Sequence, residues 1–207
     1  LRVDPPDGRH DHQPLDLSAN ELLETLQKPP IGSKGSAGYF LAAEFELGKR
    51  SAAHLAGNPA FMIQDLDTGN FDAASIRLAL DGIAHLAYTT ASHKQVTASN
   101  LKGEARWRLL VPIVGARLNT EEHRALARWL HRDVLSEDAN LADNDAKSPD
   151  RCGERLTQPM FWPTVESADQ PYEVVDSLDF PPLAIDDMER MVREIFAEDG
   201  AKKQAET

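Results

Sequence analysis

Two aspartates one residue apart, Asp65 and Asp67 in the run Gln64-Asp65-Leu66-Asp67, close a short apolar segment that begins at Phe61. On an extended chain, alternate residues point to the same side, so both carboxylates share one face roughly 7 Å apart. Such a pair suits a hard cation. Magnesium takes oxygen ligands, keeps several waters and is shared with substrate phosphates, so one or two protein carboxylates are the usual supply. An isolated Asp-x-Asp is also what a strand end followed by a glycine-containing turn looks like, here Thr68-Gly69-Asn70. A calcium loop of the EF-hand type is excluded, because Gly69 and Asn70 are out of phase and Ile76 stands where the closing Glu belongs.

A second group of polar residues follows, Thr89-Thr90-Ala91-Ser92-His93-Lys94. Hydroxyls, an imidazole and an ammonium together can hold a triphosphate. A Ser92–His93 nucleophile pair is disfavoured, since adjacent residues on a strand face opposite ways. Arg106 and Arg108 flank Trp107 and therefore share a face, which makes them candidates for charge-assisted bonds to phosphate; the competing reading is a solvated strand edge. From Thr89 to Arg108, Lys94, Lys102, Arg106 and Arg108 stand against the single acid Glu104, a basic patch of net +3 that fits a polyphosphate or a short stretch of backbone, or else a solvated loop. Asp150 precedes the segment Arg151 to Pro163 and can complete a three-acid site, with Asp143 and Asp145 as competitors in the same loop.

The elements that must position these residues can be read from period and punctuation. Ser18 caps a short helix, with Glu21 at the capping-box position and Leu22, Leu23 and Leu26 as its apolar face before Pro29 and Pro30. A Gly- and Ser-rich loop runs from Gly32 to Gly38, and Tyr39 to Gly48 is a strand or a short helix. Phe61 to Asp67 is a buried strand. Asp72 caps a helix carrying Ile76, Leu80 and Ile83, and His85 to Thr90 is a second strand. Trp107 to Val114 is a third strand; Thr120 then caps a helix with Glu121 and Glu122 in its first turn and a stripe of Leu126, Trp129, Leu130 and Val134. Ser136 to Arg155 is a long acidic loop, and Met160 to Val165 a fourth strand. Beyond Pro182, Ile185, Met188, Met191, Val192 and Ile195 recur at helical spacing. Strand, helix, strand, strand, helix, strand is the order of a split βαβ core of the RNA-recognition or ferredoxin-like type, in which the fourth strand lies beside the first. The expected fold class is therefore α+β, with an N-terminal α/β extension and a C-terminal helix. Residues 1–16 form a disordered lead-in, in which His10 and His12 are incidental; 17–197 form one domain, and 198–207 a charged tail.

Composition bounds the rest. A chain of 207 residues can bury one sizeable core. A net charge of −12 disfavours a general nucleic-acid coat protein, which would neutralise many phosphates. Cys152 stands alone, which rules out a disulfide framework and a cysteine-rich zinc module within the chain. No apolar run is long enough for a bilayer, and the start is too polar for a signal peptide, so no membrane partner and a cytoplasmic location are expected. Leu1 in place of Met is what a processed product or a piece of something longer would show. No glycine-rich dinucleotide or P-loop motif is present.

Taken together, Phe-Met-Ile-Gln-Asp-Leu-Asp from residue 61, Tyr-Thr-Thr-Ala-Ser-His-Lys from 88, Arg-Trp-Arg-Leu-Leu-Val-Pro-Ile from 106 followed by Thr-Glu-Glu-His, and a loop Asp before Leu-Thr-Gln-Pro-Met-Phe-Trp-Pro resemble the primase-polymerase domains of phage and plasmid replication proteins, in the archaeo-eukaryotic primase superfamily. The resemblance covers about residues 45 to 165. It implies template-directed nucleotidyl transfer, with Asp65, Asp67 and Asp150 holding two Mg2+ or Mn2+ ions, and His93 contacting the incoming nucleotide. It implies further that Ser92, Lys94, Arg106, Arg108 and Arg50 in the Gly-Lys-Arg-Ser segment serve nucleotide binding. The partners implied are a single-stranded DNA template, nucleoside triphosphates, and a helicase region or replication partner. Two alternatives stay open: a replication-initiator or DNA-binding module that has lost catalysis on the same fold, and a metal-dependent nuclease using the same three acids.

Overall fold

The computed structural model describes residues 17–34, 36–46, 52–56, 59–67, 71–97, 100–115, 118–135, 151–186 and 197. The architecture is mixed α+β with antiparallel pairing dominant. The elements are α1 (Ala19–Gln27), β1 (Tyr39–Phe40), β2 (Phe61–Leu66), α2 (Ala73–Ala79), β3 (Leu86–Thr89), β4 (Trp107–Val114), α3 (Thr120–Trp129), β5 (Met160–Phe161), β6 (Val174–Asp176) and β7 (Leu183–Ala184). Short helical turns lie at Ala52–His54, Leu130–Val134 and Arg151–Glu154.

Helix starts follow cap chemistry. Ser18 accepts the Glu21 N–H while Glu21 reaches back to the Ser18 N–H, a reciprocal capping box. Asp72 and Ser75 make the same exchange at α2. At α3 the cap is Asn119, one residue before the expected Thr120; its side chain accepts from Glu121 and Glu122, and Glu122 completes the box. Thr120 is therefore the first residue of the helix, because an amide oxygen one position earlier already satisfies the open N–H groups.

β4 is the centre of the main sheet. It pairs antiparallel with β2 on one side and with β3 on the other, β6 extends the sheet beyond β3, and β7 adds a short parallel pairing at Ile113 and Val114. The expected fourth strand departs from prediction: Met160–Phe161 pairs with Tyr39–Phe40 in a separate two-stranded ribbon, away from the edge of β2. Side chains sort to two faces by the period-2 rule. Met62, Leu66, Trp107, Leu109 and Val111 join Ile76, Leu126, Trp129 and Leu130 in one core under α2 and α3. On the opposite face, Leu86, Tyr88 and Leu110 pack with Leu22 and Leu26 of α1 and with Trp162 beside the ribbon. The sheet is thus covered on both sides, which explains why β3 is buried at every position. The predicted C-terminal helix, beyond its start at Ile185–Asp186, falls outside the described residues apart from Ala197.

Candidate functional site

The β2–β4 register sets Asp65 opposite Arg108 and Leu66 opposite Trp107, and one step past the ladder Arg106 reaches Asp67. Alternation sends Asp65, Asp67, Arg106 and Arg108 to the ribbon side, while Trp107 turns to the helix side and donates its indole N–H to the Phe71 carbonyl. The shared face predicted for each pair of like charges is observed. Their mutual pairing across the strands is what local sequence did not reveal.

The inner pair is closed. Arg108 donates through Nε to Asp65 Oδ1 at 2.6 Å and through Nη2 to Oδ2 at 2.8 Å, a two-pronged contact that engages both carboxylate oxygens. Its remaining terminal nitrogen, Nη1, donates to the Phe161 carbonyl at 3.0 Å, and the Tyr88 hydroxyl donates to the same carbonyl at 3.3 Å. Burial by itself would weaken the charge on Arg108, but the Asp65 carboxylate, by its charge and its hydrogen bonds, keeps the guanidinium protonated. Burial also raises the Tyr88 pKa, so its hydroxyl stays neutral and able to donate. The outer pair is shallower: Arg106 meets Asp67 at 2.7 Å, with the Asp67 side chain 34% exposed against 10% for Asp65.

These four side chains floor a cleft of about 130 Å3. Thr90, Ala91 and Ser92 form one wall; Phe161 to Thr164 and Lys34 form the other. The volume lies below the 300–1,000 Å3 of enclosing ligand pockets, so it surrounds one chemical group of a ligand and leaves the remainder along the surface. Among its described charged residues, three cations face two carboxylates, a positive balance inside a strongly acidic protein. The Thr90–Ser92 wall is held from behind. Asn100 donates to the Ser92 and Glu104 carbonyls and accepts the Glu104 N–H, while Gln170 donates to the Ala91 carbonyl.

His93 lies beneath this wall, fully buried and outside the cleft lining. Its Nδ1 sits 3.0 Å from the Arg106 N–H and 3.1 Å from the Arg106 carbonyl, and its ring meets Trp107 edge-on with centroids 5.5 Å apart. Burial lowers its pKa and favours the neutral ring. Nε2 has no hydrogen-bond partner among the described residues. His93 thus supports the backbone of Arg106 and is not among the residues lining the cleft.

The expected basic patch is divided by pairing. Lys94, whose backbone takes a left-handed φ of 51°, points to Glu173 at 3.4 Å and is absent from the cleft lining; Lys102 lies 3.9 Å from Glu104. Ser92 lines the cleft as expected. Arg108 also lines the cleft, and its three nitrogens are engaged with Asp65 and the Phe161 carbonyl. Arg50, Asp143, Asp145 and Asp150 lie outside the described residues. Sequence reasoning missed Lys34, Tyr88, Phe161, Asn100 and Gln170. The Pro-Met-Phe-Trp-Pro run did signal that Phe161 belonged to the region, without showing which side it faces.

The donor chemistry for a divalent ion is carboxylate oxygen, which fits magnesium or manganese, and the two aspartates differ in fitness. Asp67 fits, being partly exposed at the cleft with a shallow partner. Asp65 serves a cation only if Arg108 releases it. No group of three metal-ligating side chains occurs among the described residues. No protein-family model, curated protein or solved structure matches the chain.

Proposed function

We propose that this chain is a metal-dependent nucleotidyltransferase of the primase-polymerase type, which joins nucleoside triphosphates on a single-stranded DNA template. The observation that carries the reading is the convergence, on one face of β2 and β4, of the Asp65–x–Asp67 pair with Arg106 and Arg108, beside a hydroxyl-bearing wall. The order of three strands supports it: β2 and β3 run parallel with β4 antiparallel between them, the disposition expected of the first three strands of a split βαβ arrangement.

In the reaction a 3′-hydroxyl attacks the α-phosphorus of a bound nucleotide and pyrophosphate leaves. A divalent ion held by Asp67, with Asp65 and the loop residue Asp150 as further ligands, would stabilise charge on the attacking and leaving oxygens. Arg106, which lines the cleft beside Asp67, would offer its guanidinium to the triphosphate for charge-assisted bonds. Ser92 and Thr90 offer hydroxyls along the same edge. His93 holds the Arg106 backbone in position. A binding module without catalysis is the second reading, favoured by one observation: both oxygens of Asp65 are engaged by Arg108.

The test is product formation on single-stranded DNA with nucleotides and Mn2+ or Mg2+, comparing the parent with Asp67→Asn, an isosteric change that leaves the buried pair intact. Metal-dependent extension that falls at least about a hundredfold in the variant is expected, the scale seen when one group stabilising developing charge is removed. Nucleotide or DNA binding with no product from the parent would select the binding module. Degradation of labelled DNA in place of extension would select a nuclease.

A further inference from the structure

We propose that Phe161 is the stacking platform for the base of a nucleotide whose phosphates lie toward Lys34 and Arg106; this rests on the nucleotide-binding reading of the cleft. Phe161 is 41% exposed in a chain whose other site-proximal rings, Tyr88, Trp107 and Trp162, are buried. An apolar ring left in water forgoes burial worth about 1.5–3 kcal/mol, and here it is left so at the wall of a charged cleft.

Its mounting is rigid. The Phe161 carbonyl accepts from Arg108 Nη1 and from the Tyr88 hydroxyl, and its backbone is paired in register with Tyr39. A ring on a fixed backbone presents its face at low further loss of conformational freedom, which is what a stacking surface needs. Every base has a π-face, so such a platform holds a base without reading its sequence.

The charges are arranged for the other half of a nucleotide. The Lys34 ammonium lies 5.9 Å from the Phe161 ring centroid, near the outer limit of a cation–π contact, and Lys34 is exposed. No ion pair to Lys34 occurs among the described residues. A weakly held cation of this kind yields the ring face to a base at little loss and turns to a phosphate. Arg106 lines the same cleft. Among the described residues the cleft gathers Lys34, Arg106 and Arg108 within about 130 Å3, room for one phosphate-bearing group, which favours a mononucleotide over a length of single strand.

The experiment measures binding without requiring turnover, using ATP and dGTP by calorimetry, inorganic tripolyphosphate as a probe without a base, and fluorescein-labelled oligo(dT) by anisotropy. Phe161→Ala is expected to weaken ATP and dGTP by roughly five- to a hundredfold, the range for one base–aromatic stack. It should leave tripolyphosphate binding unchanged, and Phe161→Trp should restore nucleotide affinity. Lys34→Ala should weaken tripolyphosphate and nucleotide alike. Since Phe161 is exposed, a urea unfolding midpoint for Phe161→Ala equal to that of the parent separates a binding defect from a folding one. Unchanged nucleotide affinity in Phe161→Ala overturns the platform while the nucleotide site stands. A loss confined to oligo(dT) overturns the mononucleotide assignment and gives the ring to a DNA strand. A parent that binds none of the three ligands removes the nucleotide reading and this proposal together.

Discussion

The inner and outer rungs at the end of the β2–β4 ladder carry the same residue types, Asp across from Arg, with both arginines largely buried and the carboxylates unequally enclosed. Asp65–Arg108 is covered by the ribbon and tied to the Phe161 carbonyl, whereas Asp67–Arg106 opens to the cleft. Two carboxylates that look interchangeable in sequence therefore differ in what they are able to do. Desolvated charges depend on each other and on full hydrogen bonding; exposed ones are hydrated whether paired or not, and can change partner. The inner rung serves architecture first; on the nucleotide-binding reading proposed above, the outer rung is where a ligand would meet the pair.

The largest effect expected from this contrast is in stability. Arg108→Ala removes one partner of a buried pair and strands the Asp65 carboxylate, which should lower the unfolding free energy by about 3–5 kcal/mol in urea titration. A loss comparable to that of an Arg106 variant would break the distinction between the rungs.

A second effect separates the rungs from the protein's acid sensitivity. His123 on α3 is buried, and burial lowers its pKa to about 4, with a backbone hydrogen bond to Glu154 opposing the shift. Its folded value lies below the ordinary value of 6.5, so the unfolded chain binds more protons between the two. The associated stability is present above about pH 6.5 and is lost as pH falls toward 4, amounting to about 3 kcal/mol at most. His123→Leu should flatten that part of the stability–pH curve. An acid limb that persists in His123→Leu would shift attention to His85, His93 and His131, whose pKa values burial also lowers.

The smallest effect belongs to the outer rung. Arg106→Ala should lower the unfolding free energy by less than Arg108→Ala, since the carboxylate left behind is a third exposed and is hydrated when released, although Arg106 itself is only 14% exposed. The same variant should reduce nucleotide affinity measurably. A large stability loss with unaltered affinity would reverse the roles assigned to the two arginines.

What the sequence displays is local. Strands at Phe61–Leu66, Leu86–Thr89 and Trp107–Val114 and caps at Ser18 and Asp72 were legible because period and cap chemistry act within a few residues. The common face of Asp65 and Asp67 follows from the same rule. Cross-strand register is a long-range property, so nothing near Asp65 announced that Arg108, 43 positions away, would take both its oxygens. Partner choice failed for a similar reason: Met160–Phe161 has strand character in either place, and only the covering of the sheet by α1 and the ribbon directs it to Tyr39–Phe40. The burial of His93 was likewise hidden, since its ring is fixed by the backbone of Arg106 and the edge of Trp107, 13 and 14 residues on.

Arg108 has a mechanical consequence as well. The Phe161 carbonyl ties the two-stranded ribbon to the five-stranded sheet through two donors, Arg108 Nη1 and the Tyr88 hydroxyl, and the guanidinium is itself held in place by both oxygens of Asp65, so sliding ribbon over sheet would break two bonds at once. That jaw of the cleft is fixed. The opposite jaw, Thr90 to Ser92, is held by the Thr90 N–H donating to the Arg106 carbonyl and by the side-chain amides of Asn100 and Gln170. Both jaws are thus bolted to one short stretch of chain, Arg106 through its carbonyl and Arg108 through its side chain, so widening the cleft means breaking a bond at one of those two points.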